Sequence, residues 1–322
     1  MGLKAHIGVR GIFFTITALV LLSVLMIVLS VGLNRQEIDT GVYLAQITET
    51  TRERVEIHYL PLVLRYTAYD VLRVLAQDSI VNNRNLIIPD DYAEAAMTGE
   101  YRTYLVTLKT LPAAYNELAK AITDAGIANL SITTQSTSVQ QVGTFFARAT
   151  TTVNYTLRSW DNTVVYNRTI TVSSDFLLAG LPDPLYSRRS VPEPITDEQR
   201  NFTIFKRQGW NNAEFDRFWT EGSYVSDSRS PSIFNRLQNT LTPSVFGVMT
   251  IIPKSDTIQA NLTSLDMDYF SGSNQPCRYR FNGAGNRLRL NWTRAESFNI
   301  TGLFLENPTP LPTPPCPAPP SP

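Results

Sequence analysis

Hydrophobic and polar positions follow three successive patterns along the chain. From Ile12 to Leu33 every residue is apolar or small and none is charged. At about 1.5 Å of rise per residue, a helix of that length spans the roughly 30 Å hydrocarbon layer of a bilayer. A single charge at its centre would cost about 2.5 to 3.5 kcal/mol, so the pattern predicts a transmembrane helix over 12–33. From Leu44 to Ala76, apolar residues (Leu44, Ile47, Val55, Leu62, Tyr66, Tyr69, Leu72, Leu75) return at helical spacing, with Glu53, Arg54, Glu56, Arg65 and Arg73 between them. This predicts an amphipathic stalk helix within 34–80, broken or kinked near 58–60 because Pro61 lacks a backbone donor and crowds the preceding turn. From Asn129 the texture turns to Ser, Thr, Val and aromatics in alternation, the period of strands.

Punctuation residues refine these elements. Pro89-Asp90-Asp91 starts a short helix through Met97, its acids placed for a helix N-terminus. Pro112 to Ala125 reads as a second helix, with Tyr115, Leu118, Ala119 and Ile122 on one face and Gly126 as its stop. Thr144 to Arg158 and Val164 to Phe176 flank the turn-like Ser159-Trp160-Asp161-Asn162-Thr163, a long antiparallel hairpin with Asn129 to Val142 as a third strand. Prolines at 182, 184, 192 and 194 mark a boundary over 180–196. Beyond it, Asn211 to Glu221 and Ser230 to Leu241 read as short helices and Val245 to Ile252 as a strand. Cys277 to Phe281 and Arg287 to Trp292 form a hairpin around Asn282-Gly283-Ala284-Gly285-Asn286. That glycine turn lacks the Gly-Lys-Ser/Thr ending of a phosphate loop.

The expected fold class is therefore α+β: a leader (1–11), the membrane helix (12–33), the stalk (34–80), an α+β domain with an antiparallel sheet (81–186), a second α+β region (187–306) and a Pro-rich tail (307–322). With 28 basic and 28 acidic residues in 322, the net charge is zero and no basic patch marks a nucleic-acid partner. Lys4 and Arg10 precede the apolar run with no acid among them. The positive-inside bias thus puts the N-terminus in the cytoplasm and the rest outside the cell membrane. The only cysteines, Cys277 and Cys316, share that outer side, where a disulfide between them, an intermolecular bond or two free thiols are all allowed.

Three readings of the leader compete. One is a cleaved secretory signal ending near Ser30-Val31-Gly32, although its apolar region is longer than usual. The second is an uncleaved signal anchor. In the third, Arg10-Gly11 followed by Ile12-Phe13-Phe14-Thr15-Ile16-Thr17-Ala18-Leu19 resembles the class III signal sequences of archaeal type IV pilin-like proteins, which implies cleavage between Gly11 and Ile12. Ile16 stands where bacterial pilins carry a glutamate. The runs Gly180-Leu181-Pro182-Asp183-Pro184-Leu185-Tyr186 and Ser230-Pro231-Ser232-Ile233-Phe234-Asn235-Arg236-Leu237 also resemble segments of archaeal membrane-anchored surface proteins with the same type of anchor, a resemblance that implies no activity.

The clearest chemical signal is modification. Asn-x-Ser/Thr triplets stand at Asn129, Asn154, Asn167, Asn201, Asn261, Asn291 and Asn299, all on the predicted outer side. Thr-rich strands would supply some of these triplets without any selection for glycan. Catalysis finds little footing. The two histidines, His6 and His58, fall in the leader and the stalk, so neither a triad base nor a His/Cys zinc site is at hand outside. The acid pairs Asp90/Asp91, Asp197/Glu198 and Asp266/Asp268 could serve a glycosidase or a calcium site, but such pairs more often cap helices or sit in solvent. Trp210, Phe215, Phe218 and Trp219 at helical spacing read as a core face.

The sequence thus points to a non-enzymatic cell-surface glycoprotein, single-pass, whose partners are the bilayer through 12–33 and either copies of itself, in a pilin-like filament or complex, or other surface proteins. No cofactor motif is present. The rival readings are a monomeric receptor or adhesin and an extracytoplasmic hydrolase working through carboxylates.

Overall fold

A computed structural model describes residues 17–26, 40–102, 104–105, 109–189, 201–204, 214, 217–218, 221–254, 262–270, 278–281, 288–291 and 303–306. The leader, most of 12–33 and the Pro-rich tail lie outside them. The described chain is α+β and divides into two compact units. The first takes the described residues up to Val71 with Tyr92–Val139 and Ala149–Asp175. The second takes Leu72–Asp91, Gln140–Arg148 and the described residues from Phe176 onward.

Residues 17–26 form a helix (α1). Among the described residues no helix is long and apolar enough to cross a membrane. The next helical run is α2 (Thr40–Arg54), a π-helical turn (Val55–Tyr59) and α3 (Leu60–Val81). The break or kink expected near 58–60 takes the form of this π-helical turn, and the helix does not end there: Leu60 keeps helical angles and donates its N–H to the Val55 carbonyl. Widening the turn just ahead of the proline accommodates its missing donor and the bulk of its ring without ending the helix. The extra residue also rotates the buried stripe. Tyr66, expected inside, is exposed, while Leu64 and Ala68 are buried in its place.

In the first unit, Val55, Leu60, Leu64, Ala68 and Val71 supply the helix side of the core. Short helix α4 (Asp90–Thr98) and the two-residue pair β1 (Glu100–Tyr101) and β2 (Tyr104–Leu105) lead to α5 (Leu111–Asp124). Thr110 Oγ1 caps α5 by accepting from Ala113 N at 3.3 Å, Pro112 sits in its first turn, and Gly126 follows its end at φ +70°. Its buried face includes Tyr115, whose hydroxyl donates to the Leu60 carbonyl at 3.3 Å.

The sheet β3 (Asn129–Gly143), β4 (Phe146–Arg158) and β5 (Val165–Leu177) is antiparallel with β4 in the centre, as the alternation predicts. Along β4 the odd residues Ala147 to Leu157 are buried and the even ones face outward. In β3 the phase slips by one: Leu130 and Ile132 are buried, then Thr137 and Val139, with Gln135 and Ser136 both outward. An extra residue in one strand of a pair has this effect.

The second unit holds α6 (Pro184–Arg189), β6 (Val225–Ser226), α7 (Ile233–Leu237) and β7 (Val248–Met249), with β6 antiparallel to β7. It also holds β8 (Ile251–Lys254), β9 (Leu262–Leu265), α8 (Asp266–Phe270), β10 (Arg278–Phe281), β11 (Leu288–Asn291) and β12 (Leu303–Glu306). The sheet order is β12-β10-β11-β9-β8, with β9 and β11 parallel and β10–β11 the expected hairpin. The strand expected over 245–252 is interrupted: Val245 is exposed, and β7 and β8 are separate strands pairing with β6 and β9.

Between α7 and β7, Gly247 passes so close to its neighbours that an added Cβ would lie 2.2 Å from the carbonyl oxygens of both Asp227 and Ser230. Gly247→Ala is expected to cost about 3 kcal/mol in urea unfolding. Gly126→Ala, which meets open space and only the positive φ, is expected to cost about 1 kcal/mol.

Candidate functional site

Four acceptor triplets have described side chains. Asn129 begins β3, Asn154 lies mid-strand on β4 and Asn167 on β5, all at outward positions of the same sheet, while Asn201 is exposed and itself forms an isolated antiparallel bridge with Pro182. Asn167 is exposed and Asn154 half-buried. The two are linked: Thr169, the hydroxyl residue of the Asn167 triplet, donates to Asn154 Oδ1. Thr150 and Ser173 share a hydrogen bond at 3.1 Å in the same register, each step of two along β4 matched by two back along β5. That register sets Thr156, the hydroxyl residue of the Asn154 triplet, opposite Asn167. Asn291 is on β11; its side chain, Asn261, Asn299, Gly11, Ile12, Cys277 and Cys316 lie outside the described residues.

The acid pairs do not assemble a catalytic or metal centre where they are described. Asp91 accepts the Ile87 N–H at 2.6 Å, and its own N–H donates to the Ile87 carbonyl at 2.8 Å, holding the turn before α4. Asp197, Glu198 and the side chain of Asp268 are outside the described residues. No group of three or more His, Cys, Asp or Glu placed to hold a metal occurs among the described residues. His58 is exposed in the π-helical turn, and Phe218 is fully buried, in keeping with a core role.

Asp266 has a different role. It is fully buried beside Arg236, itself 0% exposed. Arg236 Nη1 reaches Asp183 Oδ2 at 2.9 Å, Nη2 donates to the Val248 carbonyl at 2.8 Å and to Asp266 Oδ2, and the guanidinium lies 5.6 Å from the centre of the Tyr224 ring. Tyr224 donates its hydroxyl to Asp183 Oδ2 at 2.7 Å, and Asp183 Oδ1 accepts from the Leu185 and Tyr186 amides at the start of α6. Desolvation disfavours the charge on Arg236, and the two carboxylates outweigh it. For Asp266, burial raises the carboxyl while Arg236 opposes that rise. Among the described residues, Arg236 Nε and Asp266 Oδ1 have no hydrogen-bond partner. With every charged group at zero exposure, the cluster cannot meet a substrate from solvent.

Asp183 and Arg236 fall within the two runs that resemble archaeal surface proteins, but the sequence assigned no chemical role to them or to Tyr224. The available signals were Asp183 directly before Pro184, a capping residue followed by a first-turn proline, and a lone arginine among Ile233, Phe234 and Leu237.

In the first unit a second ionic group joins helix to sheet. Arg52 pairs with Glu49 and with Glu56 at 3.1 Å, Arg168 reaches Glu56 at 3.1 Å, and Tyr155 donates its hydroxyl to Glu56. The Arg52 hydrogen bond, with one from Tyr166, holds the Glu49 carboxyl down at about 2. These groups serve as one another's hydrogen-bond and ion-pair partners.

No protein-family model, no curated protein and no solved structure matches this chain.

Two outcomes follow from these clusters. Arg236→Met leaves two buried carboxylates without their cation and is expected to cost about 3 to 5 kcal/mol in denaturant unfolding; adding Asp266→Leu should recover part of that loss. Burial raises the hydroxyls of Tyr92 and Tyr115, and burial with Glu56 pushes Tyr155 up to about 12. Each contribution is fully present below the unfolded tyrosine value of about 10 and is lost as pH rises past it. Melting temperature should therefore fall between pH 10 and 12, and Tyr155→Phe should flatten the fall.

Proposed function

We propose that this chain is a non-enzymatic, membrane-anchored cell-surface glycoprotein, held by residues 12–33 with its N-terminus in the cytoplasm. The observation that carries the reading is the charge-free run Ile12 to Leu33 behind Lys4 and Arg10. Within it, Leu19, Leu21, Leu22, Leu25 and Met26 on α1 are 49% to 65% exposed. At about 25 cal/mol for each Å² of apolar surface, exposure on that scale favours removal from water, and lipid provides it. The basic-small pair Arg10-Gly11 supports removal of the leader as in pilin-like proteins, and the freed apolar helix is then the means of assembly with copies of itself.

The absence of chemistry in this reading rests on Asp266 and Asp91 serving as structural partners and on His58, in the stalk, being the one histidine after the leader. Cys277 and Cys316, for which a mutual disulfide is one allowed state, and the seven acceptor triplets belong to the same outer location.

Intact mass and N-terminal sequencing of protein extracted from its own membrane test the reading. A chain beginning at Ile12 and retained in the membrane fraction after carbonate washing is expected. A chain beginning at Met1 or Gly2 reduces it to a plain signal anchor without pilin-like processing, and release by the wash removes the anchor altogether.

A further inference from the structure

The hairpin β4–β5 carries two acceptor triplets, Asn154-Tyr155-Thr156 and Asn167-Arg168-Thr169, antiparallel and in register. Each asparagine faces the hydroxyl residue of the other triplet. Their situations differ in two ways. β4 is the central strand, paired on both sides, whereas β5 pairs with β4 alone among the described strands. Asn154 is half-buried with its carboxamide oxygen accepting from Thr169, whereas Asn167 is exposed.

A transferase must draw an acceptor triplet out of its surroundings to reach the amide nitrogen. Freeing the Asn167 triplet gives up the half-exposed Arg168–Glu56 ion pair, worth little in water, and breaks one ladder of backbone hydrogen bonds. Freeing the Asn154 triplet breaks two and withdraws Tyr155, fully buried and bonded to Glu56, from the core. Local opening is cheapest where fewest such contacts are lost, so the folded hairpin offers only one of its two triplets.

We propose that Asn167 is the glycan acceptor of this hairpin and that the folded sheet withholds Asn154. The inference rests on the surface-glycoprotein reading above and adds a selection among its sites. In the reaction, Asn167 Nδ2 attacks the anomeric carbon of a phosphate-activated sugar. The C–N bond forms as the C–O bond to phosphate breaks, the amide proton passes to a base of the transferase, and the phosphate departs with the bonding pair. The outward side chains nearest Asn167 are the hydroxyls of Thr156, Thr169 and Thr171, with the charged Arg158 two residues beyond Thr156 on β4, so a sugar chain there meets mainly hydroxyl groups.

Glycopeptide mass spectrometry of the full-length protein from its own membrane decides the matter. Occupancy at Asn167 at least tenfold above that at Asn154 is expected. In Asn167→Gln, an exposed change, Asn154 should stay bare and the melting temperature should hold. Linear peptides spanning the two triplets should be modified to similar extents by the native membrane fraction, which places the difference in the fold. Occupancy of Asn154 equal to or above that of Asn167, or its appearance in Asn167→Gln, overturns the inference. So does a bare hairpin with glycan at Asn201, which leaves the glycoprotein reading standing. A protein bare at all seven triplets overturns both.

Discussion

A fully buried guanidinium dictates much of the second unit. Removing a charge of that size from water costs several kcal/mol even after relaxation, so Arg236 is tolerable only if its surroundings are built around it. Asp183 comes from the turn that starts α6, Asp266 from the first residue of α8, the Val248 carbonyl from β7 and the ring of Tyr224 from the residue before β6. Four separated stretches must therefore arrive together. Apolar packing alone would accept slight displacements of these stretches; a charge with fixed donor directions does not.

The first unit solves a different problem. A long helix must turn an apolar face to a sheet while its sequence contains a proline, and one widened turn resolves the conflict. The ion pairs of Arg52, Glu56 and Arg168 sit at the margin of that contact, where water screens them, so the buried tyrosines and aliphatic residues carry most of the stability.

Much of this architecture was legible in the chain. Strict alternation from Ala147 to Leu157, the turn at 159–163, the proline and glycine that bracket α5 and the acids that open α4 are local, and local signals survive folding. What escaped notice depends on partners distant in sequence. The pattern placed Tyr66 inside because periodicity assumes 3.6 residues per turn throughout, and a π-helical turn breaks that assumption. Asp266 read as a possible ligand because its partner lies 30 positions earlier, on a helix of ordinary composition. Among the acceptor triplets, composition treats all alike; strand order and burial separate Asn154 from Asn167.

The phase slip in β3 also limits how this chain can vary. Leu130 and Ile132 lie on one side of Gln135 and Ser136, Thr137 and Val139 on the other, and all four are buried. Loss or gain of one residue between them would leave hydropathy and length almost unchanged, yet turn one half of the strand inside out. Substitution is therefore easy on this outward face, while single-residue insertion or deletion is not. Homologous chains that keep the sheet should show a gap-free segment there, even where their side chains have diverged beyond recognition.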